Sequence, residues 1–107
     1  MVFSGFPTQS FAELIGAIIE RCPTLEGLYH VASAPISKLD LLRGIRDAMA
    51  LPIEIEPVDG PQCDRSLDGS RFVEATGLKV PSWDQLIGVL SADPTPYDEW
   101  RHQHATA

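Results

Sequence analysis

Cysteine is scarce in this sequence. Only Cys22 and Cys63 occur among 107 residues, and neither belongs to a C-x-x-C pair. Small disulfide scaffolds and zinc ribbons are thereby excluded, and a reducing compartment, the cytoplasm, is the expected location. Positive charge is scarce as well: eight Lys and Arg face 15 Asp and Glu, a formal net charge of −7. Nonspecific nucleic-acid binding and docking on anionic lipid both need the opposite sign. No apolar run approaches the roughly 18–20 residues that span a bilayer. Met1-Val2-Phe3-Ser4 lacks the basic-then-apolar pattern of a secretory leader. Neither nucleic acid nor a membrane is therefore expected as a partner.

Clustered glycine is also missing. The eight glycines are isolated, the closest pair being Gly69 and Gly77. There is no G-x-G-x-x-G and no P-loop, the turns whose bare backbone lets phosphates approach a helix N-terminus. Tyr-x-x-x-Lys is absent, because Tyr29 is followed four residues later by Ser33 and Tyr97 by Arg101. H-E-x-x-H and G-x-S-x-G are absent too. No catalytic residue and no cofactor-binding residue is assigned on these grounds. No metal site is assigned either: His102-x-His104 offers two imidazoles on a polar tail, short of the three or four fixed ligands that zinc needs. His30 falls in a strand pattern and reads as a surface or hydrogen-bonded histidine. Asp64 beside Cys63 disfavours the thiolate, so that cysteine reads as an ordinary thiol.

What is present suits one small globular domain: 44% of residues are hydrophobic and 21% charged. Its expected extent is 1–100, with 101–107 a polar tail expected to be disordered. Residues 1–6 read as a short strand. Ser10-x-x-Glu13 has the form of a capping box for a helix carrying Phe11, Leu14, Ile15, Ile18 and Ile19. Leu28 to Ala32 reads as a strand, and Ser37 as the N-cap of a helix whose buried stripe is Leu42, Ile45 and Met49. Ile53-Glu54-Ile55-Glu56 alternates as a half-buried strand does. Asp68 is placed to cap a short helix ending at Gly77, and Ser82-x-x-Gln85 to open another carrying Trp83, Leu86, Ile87 and Leu90. Strand, helix and strand over 28–56 predict a right-handed parallel crossover. The fold class expected is therefore α/β, a small mostly parallel sheet with about four helices.

The most distinctive polar cluster is Asp64-Arg65-Ser66-Leu67-Asp68. An arginine just ahead of a helix start can grip a phosphate with its planar fork of donors, and Ser66 can add a hydroxyl. The competing reading is that Asp68 only caps the helix while Arg65 pairs with Asp64 or another acid.

These motifs carry a resemblance. Gly27-Leu28-Tyr29-His30-Val31-Ala32-Ser33, Pro35-Ile36-Ser37-Lys38-Leu39-Asp40-Leu41-Leu42, Asp64-Arg65-Ser66-Leu67-Asp68, Arg71-Phe72, Thr76-Gly77 and Pro81-Ser82-Trp83 occur in that order. The set resembles the C-terminal substrate-binding part of extended short-chain dehydrogenases that act on nucleotide sugars. Within that superfamily it is most similar to the dTDP-4-dehydrorhamnose reductase-like group, from about Phe3 to Trp100. The resemblance implies an incomplete oxidoreductase: the glycine-rich NAD(P) loop and the catalytic Tyr and Lys belong to a Rossmann half that precedes this segment. NAD(P) is then a cofactor of an intact parent, with none bound by this chain, and the chain alone is expected to be inactive. The implied parent reaction is hydride transfer from NAD(P)H to a 4-keto sugar nucleotide. Arg65, with Ser66 beside it, is implied to face the diphosphate of a nucleotide-diphosphate sugar, and the implied protein partner is an N-terminal Rossmann half. In many rhamnose-forming reductases Pro follows this arginine and the spacing to Leu-Asp is longer. Here Ser66 follows directly, which leaves sugar and nucleotide open. The alternative is a stand-alone protein–protein interaction domain with neither ligand nor catalysis.

Overall fold

The structure is a computed structural model, and it describes residues 1–104. Two short strands and five helices follow one another as β1 (Val2–Phe3), α1 (Thr8–Arg21), β2 (Ile36–Ser37), α2 (Lys38–Ala48), α3 (Ser70–Thr76), α4 (Trp83–Ser91) and α5 (Tyr97–His104). β1 and β2 pair antiparallel, with Val2 opposite Ser37 and Phe3 opposite Ile36. A third segment reaches the other edge of β1 as one parallel bridge between Val2 and Asp64.

The expected mostly parallel sheet is thus replaced by a two-stranded antiparallel one. Neither Leu28 to Ala32 nor Ile53 to Glu56 forms a strand. Alternation and β-branched residues favour a strand only where a neighbouring ladder and a face to cover exist. The 51–61 stretch has neither: Ile53 is 54% and Val58 85% exposed. The 28–33 segment meets the residue just after β1 at one backbone bond, from Ser33 N–H to the Ser4 carbonyl (2.9 Å). The helix count rises to five because the Asp93-Pro94-Thr95-Pro96 turn interrupts the helical chain without ending it. α5 begins after Pro96 and runs through 101–104, part of the stretch expected to be disordered; 105–107 lie outside the described residues.

Local chemistry explains most element boundaries. Ser82 and Gln85 form the reciprocal capping box expected of them at the start of α4. Ser37 caps α2, its Oγ accepting from Asp40 N–H at 3.1 Å. α3 ends at Gly77, whose φ of 67° is the left-handed conformation glycine adopts without strain. α1 departs from expectation. It starts at Thr8, ahead of Ser10-x-x-Glu13, and Ser10 is buried inside the helix. The start is set by a hydrophobic staple: Phe6, just outside the Pro7 cap, stacks on Phe11 with ring centroids 5.7 Å apart.

The core is thin. The buried apolar residues are Leu14, Ala32, Phe72, Leu78, Leu86 and Ile87. Leu14 of α1 meets Phe72 of α3 and Leu78 beyond it, with Cys22, Leu25, Tyr29 and Val31 half-buried around them. α4 packs on α2 and, less extensively, on α1. The inward stripe of α2 is not the expected one: Leu41 and Ile45 are half-buried, while Leu42 is 40% and Met49 47% exposed. The helix is turned toward Gly44, where an added Cβ would lie 2.7 Å from Ile87 Cδ1. Glycine carries no weight in a hydrophobic pattern, yet here it leaves the room that Ile87 of α4 fills. The radius of gyration is 16.7 Å, against roughly 13 Å for a compact domain of this length. Much apolar surface therefore stays outside the core.

Leu86 and Phe72 are the two large side chains that are completely enclosed, so their truncation is costly. Leu86→Ala is expected to destabilise the chain by about 2–5 kcal/mol in urea denaturation. Leu42→Ala is expected to cost less than about 1 kcal/mol, because its side chain already meets water. The reverse ranking would place the α2 stripe back on Leu42.

Candidate functional site

Arg65 is positioned by backbone bonds at Val2. The Val2 N–H donates to the Cys63 carbonyl and the Arg65 N–H to the Val2 carbonyl, both at 2.8 Å. These are the two bonds of a parallel bridge, and they fix the chain on either side of Asp64. Two residues on, the Leu67 N–H donates to Ser4 Oγ at 2.8 Å. The Ser4 carbonyl meanwhile accepts from Ser33 N–H, and Ser33 Oγ donates to the Gly5 carbonyl at 2.7 Å. Both serines are buried. They join the 64–68 loop, the 33–35 segment and the end of β1 into one polar junction.

The loop then presses on the 30–32 backbone. A Cβ on Gly69 would stand 3.2 Å from Ala32 N and 3.4 Å from the His30 carbonyl oxygen. Both neighbours are main chain and cannot rotate away, which accounts for glycine at this position. Ser33, Pro35, Ser66, Leu67, Asp68 and Gly69 line an open hollow of about 380 Å³.

The electrostatics are mixed. Asp64 Oδ1 accepts from Ser66 Oγ (2.6 Å) and from Ser66 N–H (2.9 Å). These two bonds, the side-chain one foremost, hold the Asp64 carboxyl below its usual range. Asp68 Oδ1 accepts from Ser70 N–H at 2.9 Å, and its carboxyl is likewise lowered, chiefly by that bond. Both are ionised at neutral pH and flank Arg65 with negative charge. The pairing of Arg65 with Asp64 does not occur, because Asp64 is occupied by Ser66. Among the described residues the ion pairs are Arg46–Asp47 and Arg101–Asp98, so the exposed Arg65 side chain has no carboxylate within salt-bridge distance. The Ser66 hydroxyl proton is committed to Asp64, so Ser66 serves first to hold the loop. The N-cap of α3 is Gly69, with no side-chain cap bond, so Asp68 does not fill the cap position expected of it and instead accepts from Ser70 N–H one residue ahead of it.

The other singled-out residues lie apart. His30 is exposed and outside any strand. Cys22 and Cys63 are half-buried free thiols. His102 and His104 fall on α5, and among the described residues no group of three or more metal-ligating side chains comes together. Nor is any helix there long and apolar enough to cross a membrane.

A second concavity is larger and apolar. Phe3, Phe6, Leu41, Ile45, Trp83, Leu90 and Tyr97 line a cleft of about 730 Å³. Trp83 reads from the sequence as a core anchor. It is half-buried, its ring 5.7 Å from Phe3, its Nε1–H donating to the Ala34 carbonyl at 2.6 Å. The Asp93 carboxylate at the rim is tied to Thr95 through Oγ1–H (2.6 Å) and N–H (3.0 Å). The roles of Ser4 and Ser33 carry no periodic signal in the sequence; small polar residues among apolar neighbours are their only mark.

Comparison of the chain with protein-family descriptions, curated proteins and solved structures finds no match. The resemblance to nucleotide-sugar reductases therefore rests on the ordered motifs alone.

Ser4→Ala is expected to remove the buried hydroxyl that accepts from the Leu67 N–H and to cost about 0.5–1.5 kcal/mol in chemical denaturation. The Arg65 to Gly69 amides should shift in the variant's spectrum while those of α4 stay in place. An unchanged stability would mean that the loop is not held through Ser4.

Proposed function

We propose that this chain is the sugar-nucleotide-binding portion of a dTDP-4-dehydrorhamnose reductase-like oxidoreductase, with NAD(P) and the catalytic Tyr and Lys carried by a separate Rossmann half. The observation that supports it best is Arg65: an exposed guanidinium on a loop anchored to Val2, with no carboxylate partner. A planar fork of N–H donors matches a diphosphate in bidentate fashion. In this reading Arg65 holds the diphosphate and so orients the keto sugar toward a hydride supplied from the other half. This chain contributes position and phosphate binding, and no proton donor. Ser66 reaches the ligand only when its hydroxyl turns away from Asp64. The cytoplasm, the reducing compartment that suits two free thiols, is the location this reading expects.

Charge limits the affinity. The chain as a whole is at −7, and Asp64 and Asp68 stand beside the proposed contact. In isolation, binding of a nucleoside diphosphate is expected to be on the order of millimolar, about −4 kcal/mol.

Titration of the labelled chain with dTDP or UDP is expected to move the Arg65 to Gly69 amides. The shifts should weaken with added salt and shrink in Arg65→Ala. The same preparation should not oxidise NADPH with a keto-sugar nucleotide, since it has neither a phosphate loop nor the Tyr-x-x-x-Lys pair. Folded protein with no shift in that loop at tens of millimolar ligand, or cofactor-dependent turnover, would overturn the reading.

A further inference from the structure

Four of the chain's eight aromatic residues meet at the apolar cleft. Phe3 and Phe6 enter from the N-terminal segment, Trp83 from the start of α4 and Tyr97 from the start of α5. Ile45 of α2 and Leu90 of α4 add aliphatic wall. The volume of about 730 Å³ falls in the range of small-molecule sites. Tyr97 is 53% exposed, so one wall of the cleft stays in contact with water.

Among the described residues Asp93 is the one charged side chain that lines this cleft; no lysine, arginine or histidine does. Nor does Asp93 belong to an ion pair there. Thr95 donates to its Oδ1 through Oγ1–H and N–H. These bonds, the side-chain one foremost, outweigh the opposing effect of burial and hold the carboxyl below its usual range. The Tyr97 hydroxyl favours the charged form too. All these donors are neutral, so they orient the negative charge and do not cancel it. A carboxylate offers about four acceptor positions, and the two bonds from Thr95 leave room for a further donor.

An uncompensated carboxylate in an aromatic recess selects its ligand by charge. An anion is repelled. A neutral apolar molecule gains the walls but covers the carboxylate without pairing it, which costs free energy. A cation with an apolar body gains both, because ammonium groups are attracted to aromatic faces as well as to carboxylates. A second copy of the chain would bring a further net charge of −7 to the same place.

We propose that the cleft binds a small organic amine with an apolar or aromatic body, its protonated nitrogen at Asp93 and its body against Phe3, Trp83, Ile45 and Leu90. The site shares no lining residue with the hollow at the Arg65 loop, and it does not depend on that loop's ligand.

The test uses the full labelled chain and phenylpropylamine, phenylpropanol and phenylpropionate, which share one body and differ in charge. The amine is expected to shift the amides of Ile45, Leu90, Asp93 and Thr95 and the indole N–H of Trp83. It should bind roughly tenfold more tightly than the alcohol, with the propionate weakest. Added salt should narrow the gap, and the Arg65 to Gly69 amides should stay in place. Asp93→Asn keeps an oxygen for Thr95 and removes the charge, so amine and alcohol should then bind alike. Glu54→Gln makes the same change of net charge in an exposed loop that does not line the cleft, and should leave the preference intact. The comparison of ligands on the unsubstituted chain decides the proposal even if Asp93→Asn does not fold. Equal binding of the ligands, preference for the propionate, shifts confined to other elements, an amine preference that survives in folded Asp93→Asn, or no binding at tens of millimolar amine would each overturn it. So would closure of the cleft by a second copy, seen as a concentration-dependent shift of the same amides without ligand.

Discussion

The two backbone hydrogen bonds of Val2 hold together segments more than sixty residues apart. On one edge β1 pairs with Ile36–Ser37, and on the other its amide and carbonyl bracket Asp64. Ser4 extends the junction by one residue, using its carbonyl for Ser33 and its hydroxyl for Leu67. Long-range backbone bonds of this kind oppose a large loop-closure entropy and survive only where burial supports them. Here the supporting burial is local: Ser4, Ser33 and Ala32 are enclosed. Arg65 owes its position to this junction rather than to contacts of its own side chain.

The same economy leaves the molecule open. A few buried apolar side chains serve the whole chain, while α1 and the cleft behind Trp83 keep large apolar residues in contact with water. A chain built this way gains stability from whatever covers those faces, because binding to the folded state alone shifts the folding equilibrium. The Arg65 loop lies in a different balance: its cation is unpaired, but Asp64 and Asp68 are held ionised beside it by hydrogen bonds from Ser66 and Ser70. Weak attraction for anions and strong demand for apolar cover belong to the same molecule.

What was legible in the sequence was local. Ser37, Gly77 and the Ser82–Gln85 box mark helix ends by satisfying backbone groups within a few residues, and each does so here. The apolar residues of α4 also read correctly. Sheet topology was not legible, since Leu28 to Ala32 and Ile53 to Glu56 have strand composition but no partner ladder, and pairing is a property of distant segments. The facing of α2 differs from the hydrophobic pattern because Gly44, which that pattern does not register, is turned toward Ile87. The start of α1 differs from the Ser10-x-x-Glu13 pattern because the Phe6–Phe11 staple outweighs a polar box. At the candidate site, Asp64 to Asp68 stood out by residue type. The serines that position the loop did not, because their partners lie about thirty and sixty residues away.

Native-state hydrogen exchange of the Val2 and Arg65 amides tests the central claim most directly. If β1 clamps the Arg65 segment, both amides exchange at least about a hundredfold more slowly than an open chain, an opening free energy of about 2.7 kcal/mol. They should also open together with Ser33 and Lys38, whose N–H groups bond to the carbonyls of Ser4 and Met1 on either side of the strand. Exchange of the Val2 and Arg65 amides at open-chain rates, while the amides of α1 and α4 remain protected, would contradict the account.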